Sequence, residues 1–199
     1  MTEFERQLLV GALFAIVLGI RLLAHREAGG LFRDQSDGLR REGGWFIGIM
    51  VRVVFLIGGL VGLAAWVVSP SLVPGSVAIP PWGHGVGLVL LETGILLLVW
   101  VHLALGVHFS GTLHLRDDHR LVRRGPYARI RHPMYTSFLL IFGGLTLLTS
   151  NVLLGGLWLA SQLWVLGWRL PQEERSLQER FGAQWHNYHR QTGVLTPWW

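Results

Sequence analysis

Five apolar runs, at about 7–24, 45–68, 86–107, 134–149 and 152–170, decide the solvent in which this chain folds. A helix rises 1.5 Å per residue, so roughly 20 apolar residues cross the ~30 Å of a bilayer's hydrocarbon. Backbone amides there must pair within the segment, which leaves the helix as the answer to such a run. The first three runs meet that length, and the fourth, at roughly 16 residues, is short enough to thin the bilayer or stop before the far interface. Ser150-Asn151 alone separates the last two runs, which predicts an antiparallel helical hairpin. The expectation is an all-α fold: a multi-pass transmembrane bundle of five spans, four being the alternative, in one domain over residues 1–199. Composition agrees, with 51% hydrophobic residues and 15% charged. The first run reads as a helix rather than a signal peptide, because Glu3 and Glu5 spoil a basic leader and Ala24-His25-Arg26 is a poor cleavage site.

All 17 basic residues are arginine, and their placement sets orientation. Segments 25–44, 108–137 and 169–199 carry four, six and four of them, whereas loop 69–85 and the Ser150-Asn151 turn carry none. Basic loops stay on the cytoplasmic side, so five spans place Met1 outside and Trp199 inside. The uncharged outer loop, with Pro70, Pro74, Pro80 and Pro81, suits a rigid connector. Trp45, Trp66, Trp82, Trp164 and Trp168 lie near predicted span ends, where indole rings anchor at headgroup level. Gly58 and Gly62 have the spacing that lets helices approach closely. Arg21 is placed to snorkel from the inner end of the first span; Arg52 and Glu92 lie deeper, facing either a polar cavity or lipid. The chain has no cysteine, which excludes disulfides, thiolate metal sites and thiol nucleophiles.

Ionisable groups crowd between the third and fourth spans. Gly125-Pro126 signals a turn, and a helix is not expected to pass through His132-Pro133, since proline lacks the donor and restricts its predecessor. Arg131 and His132 therefore stand where the chain re-enters the bundle. After the last span, Pro171 suits a first helical turn, and Leu177, Phe181, Trp185 and Tyr188 fall on one face, predicting a C-terminal amphipathic helix on the membrane surface. An arginine-rich cytoplasmic loop that only fixes topology would account for the charges but not for their order.

That order is His119-x-Leu121-Val122-x-x-Gly125-Pro126-Tyr127-x-x-x-Arg131-His132-Pro133-x-Tyr135, followed by Glu173-Glu174-x-x-Leu177-x-x-x-Phe181-Gly182-x-x-Trp185-x-x-Tyr188. It resembles the isoprenylcysteine carboxyl methyltransferase family and the related phospholipid N-methyltransferases, over roughly residues 86–199. His108-Phe109-Ser110 departs from the pattern of many relatives. The resemblance implies a cytosolic cofactor loop and a catalytic region over about 106–190 that binds S-adenosylmethionine. By the same resemblance, His119, Arg131 and His132 meet the cofactor's carboxylate and Glu173 or Glu174 its positive groups. Backbone at Leu121, Val122 and Gly125 with the ring of Tyr127 is similar to the family's adenosyl-binding wall, Pro133 is a further expected cofactor-binding residue, and Arg131, Glu174 and Tyr135 are the expected catalytic residues. A carboxylate acceptor needs no base, and the Arg131 fork suits it. Alanine at Arg131 or Glu174 is expected to abolish turnover in a folded protein.

The implied partners are the bilayer and a lipid-borne or prenylated acceptor, with no nucleic acid and no metal. Only His186-x-x-His189 has close histidine spacing. No G-x-G-x-x-G follows a strand, which disfavours a soluble nucleotide-binding methyltransferase. Phosphatidylethanolamine-type and small-thiol acceptors remain alternatives, as do an NADPH-dependent membrane reductase and a non-catalytic membrane protein. The lysine-free, arginine- and glycine-rich composition points to a prokaryotic inner membrane, with the site facing the cytoplasm.

Overall fold

The computed structural model describes residues 2–27, 45–106 and 121–197, with the side chains of 25–27 and 45–56 excepted. His119, the His108-Phe109-Ser110 stretch, and the side chains of Arg52 and Trp45 lie outside the described residues. The helices are α1 (Glu3–Glu27), α2 (Trp45–Val68), α3 (Pro81–Leu105), α4 (Pro133–Thr149), α5 (Val152–Trp164), α6 (Leu170–Phe181) and α7 (Ala183–Gln191). Among the described residues no strand forms; pairing is limited to the isolated bridges Ser76–Asn151 and Ile130–Gly193. Glu3–Ala24 and Pro81–Leu105 are long and apolar enough to cross a membrane, and shorter apolar helices occupy Ile57–Val68 and Pro133–Thr149.

Helices α3 and α4 make the most extensive packing, and glycine is the reason. A Cβ on Gly144 would fall 2.6 Å from the Gly87 carbonyl oxygen and the Leu91 amide nitrogen. One on Gly94 would fall 2.9 Å from Ile141 N and Ser137 O. The two backbones thus touch, and dispersion contacts between them replace the hydrophobic drive that helices lack in lipid. Around this crossing Leu91, Leu98, Ile141, Leu145 and Leu148 are fully buried, joined by Val10 of α1, Trp66 of α2 and Trp158 of α5. At the α2–α5 contact, a Cβ on Gly62 would lie 2.6 Å from Leu154 Cδ2, so that glycine does sit at a helix interface.

Several local features differ from the sequence expectation. Helix α3 starts at Pro81 rather than near 86, because proline's fixed φ suits a first turn whose amides lack partners anyway. Trp66 is no surface anchor: it is 0% exposed, and the Arg6 guanidinium sits 5.9 Å from its ring centre. Trp82, Trp164 and Trp168 are exposed as anchors should be. After α5 the backbone runs through a π-helical turn, Val165–Arg169, directly into α6. The expected single C-terminal amphipathic helix is two helices, because Gly182 takes φ 48°, ψ −118° and breaks it.

The connector between α2 and α3 is pinned to the α4–α5 turn, on the side the arginine count assigned to both. Asn151 caps α5 by accepting from the Leu153 and Leu154 amides at 3.1 and 3.0 Å. Its amide nitrogen donates to the Val73 and Pro74 carbonyls, each at 3.1 Å. Nearby, Arg6, His84 and Ser150 join α1, α3 and the turn, with His84 Nε2 at 2.8 Å from both Arg6 Nη1 and Ser150 Oγ.

Candidate active site

At the opposite end of the bundle, the chain from 121 onward leans on the end of α3. Arg124 Nε donates to the Ala104 carbonyl at 3.1 Å. Gly125 has φ +60°, and a Cβ there would sit 3.1 Å from both Ala104 Cβ and Trp100 Nε1, so this position needs glycine twice over. A single 3-10 turn, Gly125–Ala128, then leads to His132, the residue before α4, and Pro133 opens that helix as expected. Arg131 and His132 are held by the C-terminal tail: Arg131 N donates to Gly193 O at 2.8 Å, His132 N to Val194 O at 3.0 Å, and Gly193 N back to Arg129 O at 3.0 Å. Thr136 Oγ1 adds a bond to the Leu195 carbonyl at 2.6 Å.

The side chains of the two sequence motifs meet here. Glu174 Oε1 accepts from Arg131 Nε at 3.0 Å and lies 3.2 Å from His132 Nε2. The Tyr135 hydroxyl donates to Glu173 Oε2 at 2.6 Å, and the His132 and Tyr135 rings stack with centres 5.7 Å apart. Arg131 Nη1 also donates to the carbonyls of His189, at 2.8 Å, and Thr192. The Arg131 side chain is 3% exposed against 25% for Glu174, so the guanidinium is an interior clamp with the carboxylate at the rim.

Electrostatics follow from that placement. The hydrogen bond from His132 first, then that from Arg131, hold the Glu174 carboxyl at about 2 against the desolvation that opposes them. Burial pushes the Tyr127 phenol well above its ordinary range, with Glu173 and Tyr188 adding to the effect, and it pushes Tyr188 up to about 12. The depressed Glu174 value has a sign: its contribution to stability is complete above the ordinary carboxylate pKa near 4.5 and is lost as pH falls towards 2. Between pH 5 and 2 the melting temperature of the detergent-solubilised protein should therefore fall more steeply than that of Glu174→Gln. Parallel curves would show that the carboxylate is not linked to folding.

Of the expected site residues, Arg131, His132, Tyr135, Glu173 and Glu174 converge, with Pro133 buried beneath them as the first residue of α4. Tyr127 joins through its carbonyl, which accepts from the Tyr188 hydroxyl at 2.8 Å, while the Arg123 guanidinium sits 5.7 Å from the Tyr188 ring centre. Leu121 and Val122 are half-buried where the segment begins. Sequence reasoning ended the catalytic region near 190 and so missed Thr192–Leu195, whose carbonyls do the holding. Backbone acceptors carry no residue-type signal, and no motif marked them.

Comparison with known proteins bears on this same region. The model of the "Isoprenylcysteine carboxyl methyltransferase (ICMT) family" matches residues 86–179. Protein-S-isoprenylcysteine O-methyltransferase B of Arabidopsis thaliana is 29% identical over 119 residues, 58% of this chain and 60% of that protein. A probable protein-S-isoprenylcysteine O-methyltransferase of Oryza sativa subsp. indica is 30% identical over 106 residues, 52% of this chain and 55% of the relative. The chain thus spans somewhat more than half the length of these relatives. The solved structure of a eukaryotic intramembrane Ras methyltransferase ICMT aligns with TM-score 0.53 and 26% identity, over 76% of this chain and 50% of that one.

Proposed function

We propose, from the match of residues 86–179 to the isoprenylcysteine carboxyl methyltransferase family model, that this chain is an S-adenosylmethionine-dependent methyltransferase that O-methylates an isoprenylcysteine-type carboxylate borne by a lipid or prenylated acceptor. The observation that carries this reading is the junction of the two motifs: Glu174 held by Arg131 and His132, and Glu173 held by Tyr135.

The residues fit the proposed cofactor. Glu174 commits Oε1 to Arg131 and His132 and, one quarter exposed at the rim, is held ionised where a positive group can approach it. Glu173 and the imidazole of His132 lie beside it, while Leu121, Val122, Gly125 and Tyr127 are the candidates for the adenosyl wall. S-adenosylmethionine supplies an electrophilic methyl on a sulfonium, and transfer leaves a neutral thioether. The chain's part is alignment and exclusion of water rather than proton transfer, since a carboxylate acceptor is already ionised. Arg131 and His132 orient the Glu174 carboxylate, the Tyr135 hydroxyl orients Glu173, and tail residues 192–195 hold Arg131 and His132 in place.

The proposed topology has five spans with the arginine-rich segments inside; Glu3–Ala24 and Pro81–Leu105 are long and apolar enough to cross, and the fifth span would need α5 together with the π turn. The composition favours a prokaryotic inner membrane, with the site facing the cytoplasm; the relatives named above are plant proteins. Calorimetric titration of the detergent-purified chain tests the function: S-adenosylmethionine and S-adenosylhomocysteine should bind, and Glu174→Gln should lower methyl transfer to a farnesylcysteine acceptor by roughly 100-fold. Binding of NADPH with no affinity for either sulfur compound would replace this reading with a reductase. Unchanged turnover in Glu174→Gln would remove that residue from the site.

A further inference from the structure

Midway along α3 stands an ionisable side chain that the bundle leaves uncovered. Glu92 belongs to Pro81–Leu105, a helix long and apolar enough to cross a membrane, and by helix rise it lies about 17 Å from one end and about 20 Å from the other. A glutamate side chain is too short to bring its carboxyl to either surface from there. Glu92 is exposed, and among the described residues it has no hydrogen bond and no ion pair. Arg52, the other deep charge of the sequence, belongs to α2, which packs on α1 and α5. Carboxyl groups at membrane depth are costly unless paired, so they face a protein interior or a polar cavity rather than lipid. Exposure of Glu92 in the single chain therefore marks a surface that another protein covers.

The surroundings of Glu92 define what fits. One face of α3 is committed to α4 through Gly87, Leu91 and Gly94. The opposite face carries Gly85, Val89, Glu92, Thr93 and Leu96, all exposed. Gly85, Val89 and Thr93 recur every four residues, and a Cβ on Gly85 would meet nothing within 4 Å, so a shallow seam of small side chains runs beside the carboxyl. Small residues with a polar group among them form the kind of surface on which two membrane helices approach closely and hydrogen-bond. A carboxyl in its acid form both donates and accepts, so a second carboxyl satisfies it on both counts. A second copy related by a two-fold axis normal to the membrane brings that group to the same depth, because such a contact sets a residue near the axis against itself.

We propose that this face of α3 is a homodimer interface within the membrane, in which Glu92 hydrogen-bonds its own counterpart in a second copy of the chain. The interface does not depend on the reaction proposed above, although Arg124 and Gly125 lean on the inner end of the same helix. The chain has no cysteine, so single cysteines report contact directly. In native membranes the full-length Val89→Cys protein should form a disulfide-linked dimer on oxidation, whereas Leu163→Cys, exposed on α5, should not. Resonance energy transfer between copies fused to two fluorescent proteins, in phosphatidylcholine vesicles, gives the affinity. Glu92→Leu should weaken association by about 10-fold, and Glu92→Gln, whose amide also donates and accepts, should keep most of it. Gly85→Leu adds bulk to the seam at a point where one copy leaves room for it, and should weaken association likewise. A wild type that stays monomeric at every protein-to-lipid ratio overturns the interface, as does a Glu92→Leu protein that associates as tightly as wild type. Cross-linking of Val89→Cys solely to a different protein would give this face to a heterologous partner and overturn the second copy too.

Discussion

Arg131→Ala is expected to lower stability by about 3 kcal/mol and to abolish methyl transfer, because it removes the buried partner of a charged pair and takes a donor from three acceptors at once. Those acceptors are Glu174 Oε1 and the carbonyls of His189 and Thr192. The structure revises the expectation that alanine here would leave a folded but inactive protein: a side chain 3% exposed that ties α6, α7 and the tail to the start of α4 is part of the fold. Glu174 is 25% exposed and can lose its charge more safely, which makes Glu174→Gln the cleaner probe of chemistry. Thermal melting in detergent, read alongside turnover, separates the two effects. An Arg131→Ala protein that melts with the wild type would show that the tail is held by something else.

Gly144→Ala should be strongly disruptive, because its added methyl meets backbone rather than side chain. The added carbon would fall 2.6 Å from Gly87 O and Leu91 N, which are backbone atoms and can yield only if α3 and α4 move apart. Overpacking of this kind costs about 1–3 kcal/mol, and separating these helices also shifts the start of α4, where His132 and Tyr135 stand. The neighbouring Gly143 is the control: a Cβ there meets nothing within 4 Å, so Gly143→Ala should be neutral or slightly stabilising through helix propensity. Melting curves of the two variants should differ in sign of shift. Equal shifts would mean that the backbone contact at 144 is not what holds the pair.

The apolar run lengths alone determined that helices would form at five places, since run length and the cost of an unpaired amide in hydrocarbon leave no other structure. His132-Pro133 marked the start of α4 in the same local way, through a missing donor. The motifs placed Arg131, His132, Tyr135, Glu173 and Glu174 on a list of candidates, because their residue types and spacings are specific. Other features depended on neighbours that sequence does not name. Trp66 reads as an interfacial anchor until Arg6 and the core close over it; indole suits both places, and burial decided between them. The α3–α4 crossing uses Gly87, Gly94 and Gly144, not the Gly58-Gly62 spacing that stood out, because a close approach is a property of two surfaces. Break of the C-terminal helix at Gly182 required a positive φ, which glycine permits but does not demand. The hold of residues 192–195 on Arg131 and His132 runs largely through backbone carbonyls, identical in every residue, so only the folded chain could reveal which of them were near enough to accept.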